Sequence, residues 1–428
     1  MNISGFTLAV LVIWAMGAQA PFAQDNSFAI PDVETKKPGL EIGGNIDVNY
    51  SLLLNRGDSA LLQLMNGGQN APAVSASYPL DLYLSGDYQA GALAVHLKTH
   101  TDYSAGNTLG FTLNEAYGSV QISDNGLLRL GKTIYTWGKG YAFNPVGFLN
   151  PAKDPENPDY LGEGVASGNF EYSRSFQSSV LNNLSIDLIA IPPVTTSLSG
   201  SSDILDTALA AKLYLLVWDT DIDFMGYFSR AGARSAGMDL SRNIVSSLEL
   251  HGEIAYSFDR PKNIISGGTL ASTSVDGLSY LVGLRWLNSW NITTVLEYYH
   301  NDAGLTSSEF SGYVDFLQVA ANSGSSTAIS QALSIRKSAF SGPDLMQDYA
   351  YFRLSWPEPF NLVDFTPAAF AIYSVDDNSM LVALSFSFDP VTNFELVMTP
   401  TLLIGGPQTV YGSKPYEFSA IVLARYYF

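Results

Sequence analysis

The chain has no cysteine among its 428 residues. That absence removes disulfides, thiolate metal sites, cysteine nucleophiles and a lipid anchor carried on an N-terminal cysteine. Charge is also scarce: 14% of residues are Asp, Glu, Lys or Arg, against roughly 25% in ordinary soluble domains. The charge that is present leans acidic, with a formal net of −19. This argues against nucleic acid as a partner, because a phosphate backbone needs a basic surface. Beyond the N-terminal segment no apolar run approaches the ~20 residues of a membrane-spanning helix. Yet 46% of the chain is hydrophobic. The apolar residues must therefore be spread thinly, as in a wall that shows every second side chain to lipid.

The N-terminus reads as a secretory signal. Phe6 to Ala18 is almost entirely apolar, with small residues following at Ala18, Ala20 and Ala23. The run is too short to span a bilayer. No Lys or Arg precedes it, a departure from the usual pattern. Pro21 disfavours a cut at Ala20, so cleavage is expected after Ala23, giving a signal over 1–23. Residues 24–39 form a short polar lead, too small to plug a channel.

From residue 40 onward the dominant period is two. Leu40, Ile42, Gly44, Ile46, Val48, Tyr50 and Leu52 alternate with Glu41, Gly43, Asn45, Asp47, Asn49 and Ser51. Similar alternation runs through 93–100, 248–258 and 380–389. Several stretches reach ten residues, which suits a tilted membrane strand of about 9–11 residues rather than the five or six of a soluble sheet. Connections alternate between tight turns (Gln89-Ala90-Gly91, Ser123-Asp124-Asn125-Gly126, Asp219-Thr220, Asn288-Ser289-Trp290) and long segments (54–77, 136–165, 260–277, 301–347). The pattern predicts one closed antiparallel barrel over 40–428. It has about 18 strands, within 16–20, with short periplasmic turns and long external loops. Trp218, Trp286, Trp356, Phe388 and Phe428 fall where descending strands meet the periplasmic interface, the level that aromatic rings favour.

The last strand alternates Tyr416, Phe418, Ala420, Val422, Ala424, Tyr426 and Phe428 with Glu417, Ser419, Ile421, Leu423, Arg425 and Tyr427, and the chain stops on Phe428. This resembles the C-terminal signature of Gram-negative outer-membrane proteins. The resemblance implies that Tyr426 and Phe428 form an assembly signal for the barrel-assembly machinery. A second likeness is local. Leu113-Asn114-Glu115-Ala116-Tyr117, then Arg129-Leu130-Gly131-Lys132, then Trp137-Gly138-Lys139-Gly140-Tyr141 and Asn144-Pro145 look like a strand pair and loop of porin-type barrels. It covers under a tenth of the chain and carries no substrate. Together these likenesses imply a bacterial outer-membrane location and passive or selective diffusion of small solutes. Outer-membrane lipid and a possible homo-oligomer would be the partners. Two other functions stay open: a surface-binding barrel with a plugged lumen, and a transporter of a hydrophobic molecule.

Alternation also assigns an inner face. Glu41, Asp47, Lys98, Glu115, Lys212, Asp223, Glu249, His251, Glu253, Arg285, Glu297, Arg353 and Arg425 point inward, because an Arg or Lys facing mid-bilayer lipid costs about 2–4 kcal/mol. Charges of both signs there suit a hydrated channel or an ion-pair network bracing the wall. Folded inward, the 136–165 loop would constrict the lumen with Trp137, Lys139 and Tyr141. Within 301–347, Tyr313, Phe316, Leu317 and Ala320 recur at helical spacing, as do residues in 329–336, suggesting a small external cap. Catalysis has little support. His96 and His100 share a face but lie about 13 Å apart along a strand, too far for one metal ion. His251 between Glu249 and Glu253 has no readable nucleophile. No enzyme activity, metal or cofactor is expected.

Overall fold

A computed structural model describes residues 39–104, 108–158, 160, 162–193, 206–230 and 232–428. The expected signal segment and all of the lead before Gly39 lie outside the described residues. The elements are β1 (Gly39–Asn55), α1 (Ala60–Met65), β2 (Val74–Ser77), β3 (Leu80–Ala90), β4 (Leu93–Ser104), β5 (Thr108–Ser123), β6 (Gly126–Thr133), β7 (Val165–Ser175), β8 (Leu181–Ile191), β9 (Ala208–Val217) and β10 (Thr220–Phe228). They continue with β11 (Arg234–Val245), β12 (Leu248–Ser266), β13 (Thr269–Leu287), β14 (Thr293–His300), α2 (Ser307–Asn322), α3 (Ser326–Ala339), β15 (Asp348–Ser355), β16 (Phe365–Ser374), β17 (Ser379–Val391), β18 (Phe394–Ile404) and β19 (Tyr416–Tyr427).

All strands join one antiparallel sheet that closes where β1 meets β19, from Asn45↔Tyr427 to Asn55↔Tyr416. Strands β2 and β3 are two pieces of one stave. Ser51↔Ser77 and Val48↔Leu80 lie on the same register of β1, interrupted at Tyr78-Pro79, where proline lacks an N–H to give the ladder. The nineteen strands of the sheet therefore make an 18-stave barrel. Closure continues past the last strand: Gly44 N donates to Phe428 O at 3.0 Å and Phe428 N to Gly44 O at 3.0 Å. A sheet bordered by lipid needs this, since an open edge would leave backbone groups unpaired.

The two faces separate as period two requires. Outward side chains such as Leu40, Ile42, Val48, Leu84, Val95, Leu188, Leu209, Leu250, Ile254, Val282, Leu296 and Leu402 are apolar and exposed, whereas their inward neighbours Asp47, Asp187, Lys212, Asp223, His251, Glu253 and Glu297 are buried. An apolar outer surface of this extent is a lipid-facing surface. Of the expected girdle, Trp286 and Phe388 are exposed on the outward face, and Trp218 is exposed in the β9–β10 turn.

One segment read as a loop is not one. Residues 260–277 belong to β12 and β13, which are 19 residues each and run on as a hairpin past an irregularity between Ser257 and Arg260. The stretch lost its clean alternation because, beyond the apolar band, both faces of the hairpin meet water or other loops. The helical spacing in 301–347 becomes α2 and α3. Helix α2 starts on a capping box, with Thr306 accepting from Glu309 N and Glu309 accepting from Thr306 N. It buries Phe310, Tyr313, Val314 and Leu317. With α1 it forms a cap at the external mouth, tied to the β12–β13 hairpin by Lys262–Glu309 (2.9 Å) and Arg260–Asp302 (3.1 Å).

Candidate functional site

The loop after β6 enters the barrel and lies against the inner wall. Its first half, residues 135–150, closes on itself: Tyr135 N donates to Asn150 Oδ1 (3.0 Å) and Asn144 Nδ2 to Trp137 O (3.2 Å). Two wall carboxylates grip this lobe through its backbone. Glu253 on β12 accepts from the N–H groups of Lys139 (2.6 Å), Gly140 (2.6 Å) and Val146 (3.3 Å). Glu297 on β14 accepts from Tyr141 N and from Ala142 N (2.8 Å). A charge-assisted bond contributes about 1.5–3 kcal/mol, and a buried carboxylate without such donors would be strongly unfavourable. The two glycines permit the approach. Gly138 has φ +101, and a Cβ on Gly140 would stand 2.1 Å from Phe143 O.

Apolar contacts complete the grip. Trp137 is 3% exposed among Val146, Ile189, Ala210, Met225 and Ala255. Phe143 stacks on Tyr299 at 4.7 Å and lies 5.5 Å from Tyr349. Lys139 pairs with Asp223 at 3.0 Å, and Arg353 sits over the Tyr141 ring at 5.3 Å. Burial works against the Lys139 charge, but Asp223 and Asp239 outweigh it and hold the ammonium above the ordinary lysine value. The three constriction candidates therefore differ in burial. Trp137 is a buried anchor because a flat apolar ring gains more by filling the loop–wall gap than by facing water. Lys139 and Tyr141 are partly buried against the wall.

The second half of the loop bridges to other loops. Glu156 pairs with Lys414 at 3.1 Å, Lys132 with Glu163, and Asn114 Nδ2 donates to Gly162 O at 2.9 Å. Asp154 is held above the usual carboxylate range by burial. With Phe310, Tyr313, Arg336, Tyr411 and Lys414 it lines a cavity of about 290 Å³ between loop and cap.

The wall opposite the lobe keeps its charges among side chains of other strands. Arg425 bonds Asp47 through two nitrogens (2.8 and 2.7 Å) across the β1–β19 seam and reaches Glu395 at 3.4 Å. His100 meets Asp81 at 2.8 Å, and His96 lies between Asp87 (2.7 Å) and Glu115 (3.5 Å). The two histidines thus take separate carboxylates, and among the described residues no cluster has a metal-binding geometry. Asp87 is 60% exposed, Arg425 29% and Glu395 22%, so this face stays wet.

All thirteen residues expected on the inner face have inward parity. They divide into three groups. Lys212, Asp223, His251, Glu253, Glu297 and Arg353 lie along β9–β15, mostly beneath the lobe; His251 meets Glu297 at 3.0 Å. Asp47, Lys98, Glu115 and Arg425 belong to the opposite wall. Glu41, Glu249 and Arg285 lie toward the periplasmic rim, the last two opposite each other on adjacent strands. Sequence reasoning did not single out Asp187 or Asp239. Asp239 is 1% exposed and faces Asp223 and Glu253 on neighbouring strands. An inward acid within an apolar strand was the available signal.

No protein-family model matches the chain, and no curated protein matches it. Solved structures do. A Pseudomonas aeruginosa protein, OccK2 (OpdF), solved in complex with glucuronate, superposes with a TM-score of 0.55 at 9% identity, covering 91% of this chain and 98% of that one. OccK8 (OprE) of the same species gives 0.53 at 9% over 91% and 98%, and OprD gives 0.52 at 8% over 91% and 95%. The chain shares their fold. At such low identity the likeness concerns the path of the backbone, not the side chains that line it.

Proposed function

We propose that the protein is a bacterial outer-membrane channel for passive or selective diffusion of small hydrophilic solutes. One observation carries this reading. Inside an apolar shell, the wall facing the inward loop bears acidic and basic side chains that stay partly exposed. A barrel of this width encloses an aqueous lumen unless loops fill it, and a loop fixed to one side narrows the path while leaving the other side polar. Transport of a hydrophobic molecule fits the charged lumen poorly. The thirteen inward residues are proposed as lumen lining, and Lys139 and Tyr141 as the loop's contribution to the narrowest level. Tyr426 and Phe428 are proposed as the assembly signal, consistent with the pairing of Phe428 to Gly44 across the seam.

The test is single-channel recording with purified protein in a planar bilayer. Discrete, salt-dependent open steps are expected; folded protein that never opens would overturn the proposal. One observation favours the rival reading of a binding barrel with a plugged lumen. Cap residues Tyr313 and Leu317 share an apolar cluster with loop residues Ala142 and Phe143. A permanently closed barrel is the outcome that reading demands.

A further inference from the structure

The periplasmic connection between β15 and β16 is longer than the other periplasmic connections among the described residues. The β5–β6 and β17–β18 turns need only Asp124-Asn125 and Thr392-Asn393, whereas this one runs from Trp356 to Asp364. It holds no glycine, yet Glu358 (φ 51), Phe360 (φ 56), Asn361 (φ 61) and Asp364 (φ 62) adopt the left-handed region. For a bulky residue such as Phe360 that conformation is a genuine outlier. The turn is nevertheless well bonded: Glu358 N donates to Phe365 O (2.9 Å), Leu362 N to Pro359 O (3.0 Å), and Asp389 N of β17 to Asp364 O (3.0 Å). What this backbone displays is apolar. Phe360 is 83% exposed, Val363 64% and Leu362 54%.

The direction of the turn identifies what covers it. Tyr349, Tyr351 and Arg353 of β15 face inward, so Trp356 continues the outward parity of the strand. Phe360 leans on that Trp356 ring at 5.1 Å. Phe365, also outward, stacks on Phe386 at 6.4 Å. The turn is thus folded toward the outside of the barrel, continuous with its lipid-facing wall, rather than toward the lumen. Water would gain nothing from three apolar side chains held there in a bonded, left-handed frame. An interface of headgroups and upper acyl chains accepts them, as it accepts aromatic rings at the ends of membrane strands.

We propose that residues 356–364 form a membrane-interface anchor that inserts Phe360, Leu362 and Val363 into the periplasmic leaflet on one side of the barrel. The partner is a phospholipid surface. Glu358 and Asp364 flank the apolar residues, so insertion relies on apolar burial and not on anionic headgroups. This inference needs the barrel to lie in a bilayer and is independent of whether it conducts.

Because the chain has no cysteine, Phe360→Cys, Leu362→Cys and, as a reference in a tight turn on the same side, Asn125→Cys can each carry one fluorophore. The variants are placed in phosphatidylcholine nanodiscs, with folding checked by heat-modifiable gel mobility. Labels at 360 and 362 should be quenched by nitroxide lipid labelled near the headgroup, and shielded from aqueous iodide at least about threefold relative to 125. Adding anionic lipid should change neither result. Leu362→Cys preserves the test if Phe360→Cys fails to fold. Iodide access equal to that at 125, with no lipid quenching, would overturn the proposal and leave the turn as a water-facing surface for a soluble partner.

Discussion

The inner wall has two halves built from the same alternating code and put to different uses. Along β9–β15 the inward carboxylates Glu253 and Glu297 accept from backbone N–H groups of the lobe, and Asp223 pairs through one oxygen with Lys139. Across the seam, Asp47 and Arg425 bond each other, and Asp87 and Glu395 keep contact with water. An acid in a barrel wall is therefore not in itself a lumen charge. Glu253 and Glu297 become structural clamps because a loop brings N–H donors to them, whereas Asp47 is bonded by Arg425 of the neighbouring strand. If the barrel conducts as proposed, the second half would set the field a permeating ion meets and the first the width of its path.

The strongest way to break this contrast is to remove the lobe. Replacing residues 137–149 by a short Gly-Ser linker should raise single-channel conductance at least about twofold, by uncovering the clamped half and widening the lumen. An unchanged conductance would show that the lobe lies outside the ion path. Next, Glu253→Ala leaves the N–H groups of Lys139, Gly140 and Val146 without their acceptor, a loss of about 1–3 kcal/mol for each donor left unsatisfied. Faster proteolysis within the loop and noisier open states should follow, with the barrel still heat-modifiable on gels. Gly140→Val should act in the same direction by steric conflict with Phe143 O.

A smaller effect is expected on the open half. Arg425→Gln removes one positive charge and unpairs Asp47, costing about 1–3 kcal/mol at the seam. It should shift the reversal potential in a salt gradient toward greater cation preference. No shift would mean that this wall is not the one ions sample. The smallest effects concern pH. The Lys139 value is raised on folding, so its contribution is complete below the ordinary lysine value and is lost as pH rises through the folded value. Loop protection from protease should hold through moderately alkaline pH, weaken beyond it, and lose that dependence in Lys139→Met. Asp154 is also raised, by burial. Its contribution is present below the ordinary carboxylate range and is lost as pH rises past it, so Asp154→Asn should slightly tighten the loop near neutrality, seen as slower cleavage.

The barrel was legible because alternation is a local property. Each strand announces its own oily face, and tight turns such as Asp124-Asn125 mark where the chain reverses. The 260–277 hairpin escaped because the code depends on lipid, and that hairpin extends beyond it. The clamp escaped for a different reason. Glu253 and Lys139 are 114 residues apart, and Glu297 and Tyr141 are 156 apart. Each acid reads like any other inward residue, and nothing near it in the chain names its partner. The periplasmic turn at 356–364 escaped because left-handed backbone at Glu358 and Phe360 has no glycine to advertise it.

The sequence alone determined which side chain of each strand meets oil and which meets water, because a pleated strand sends neighbours to opposite faces whatever surrounds it. It also determined that the sheet must close, since lipid leaves no partner for an open edge. Only the tertiary structure decided which inward carboxylates are bonded by the backbone of a loop and which by side chains of the wall. That choice depends on donors delivered from more than a hundred residues away, to a precision that no local pattern encodes.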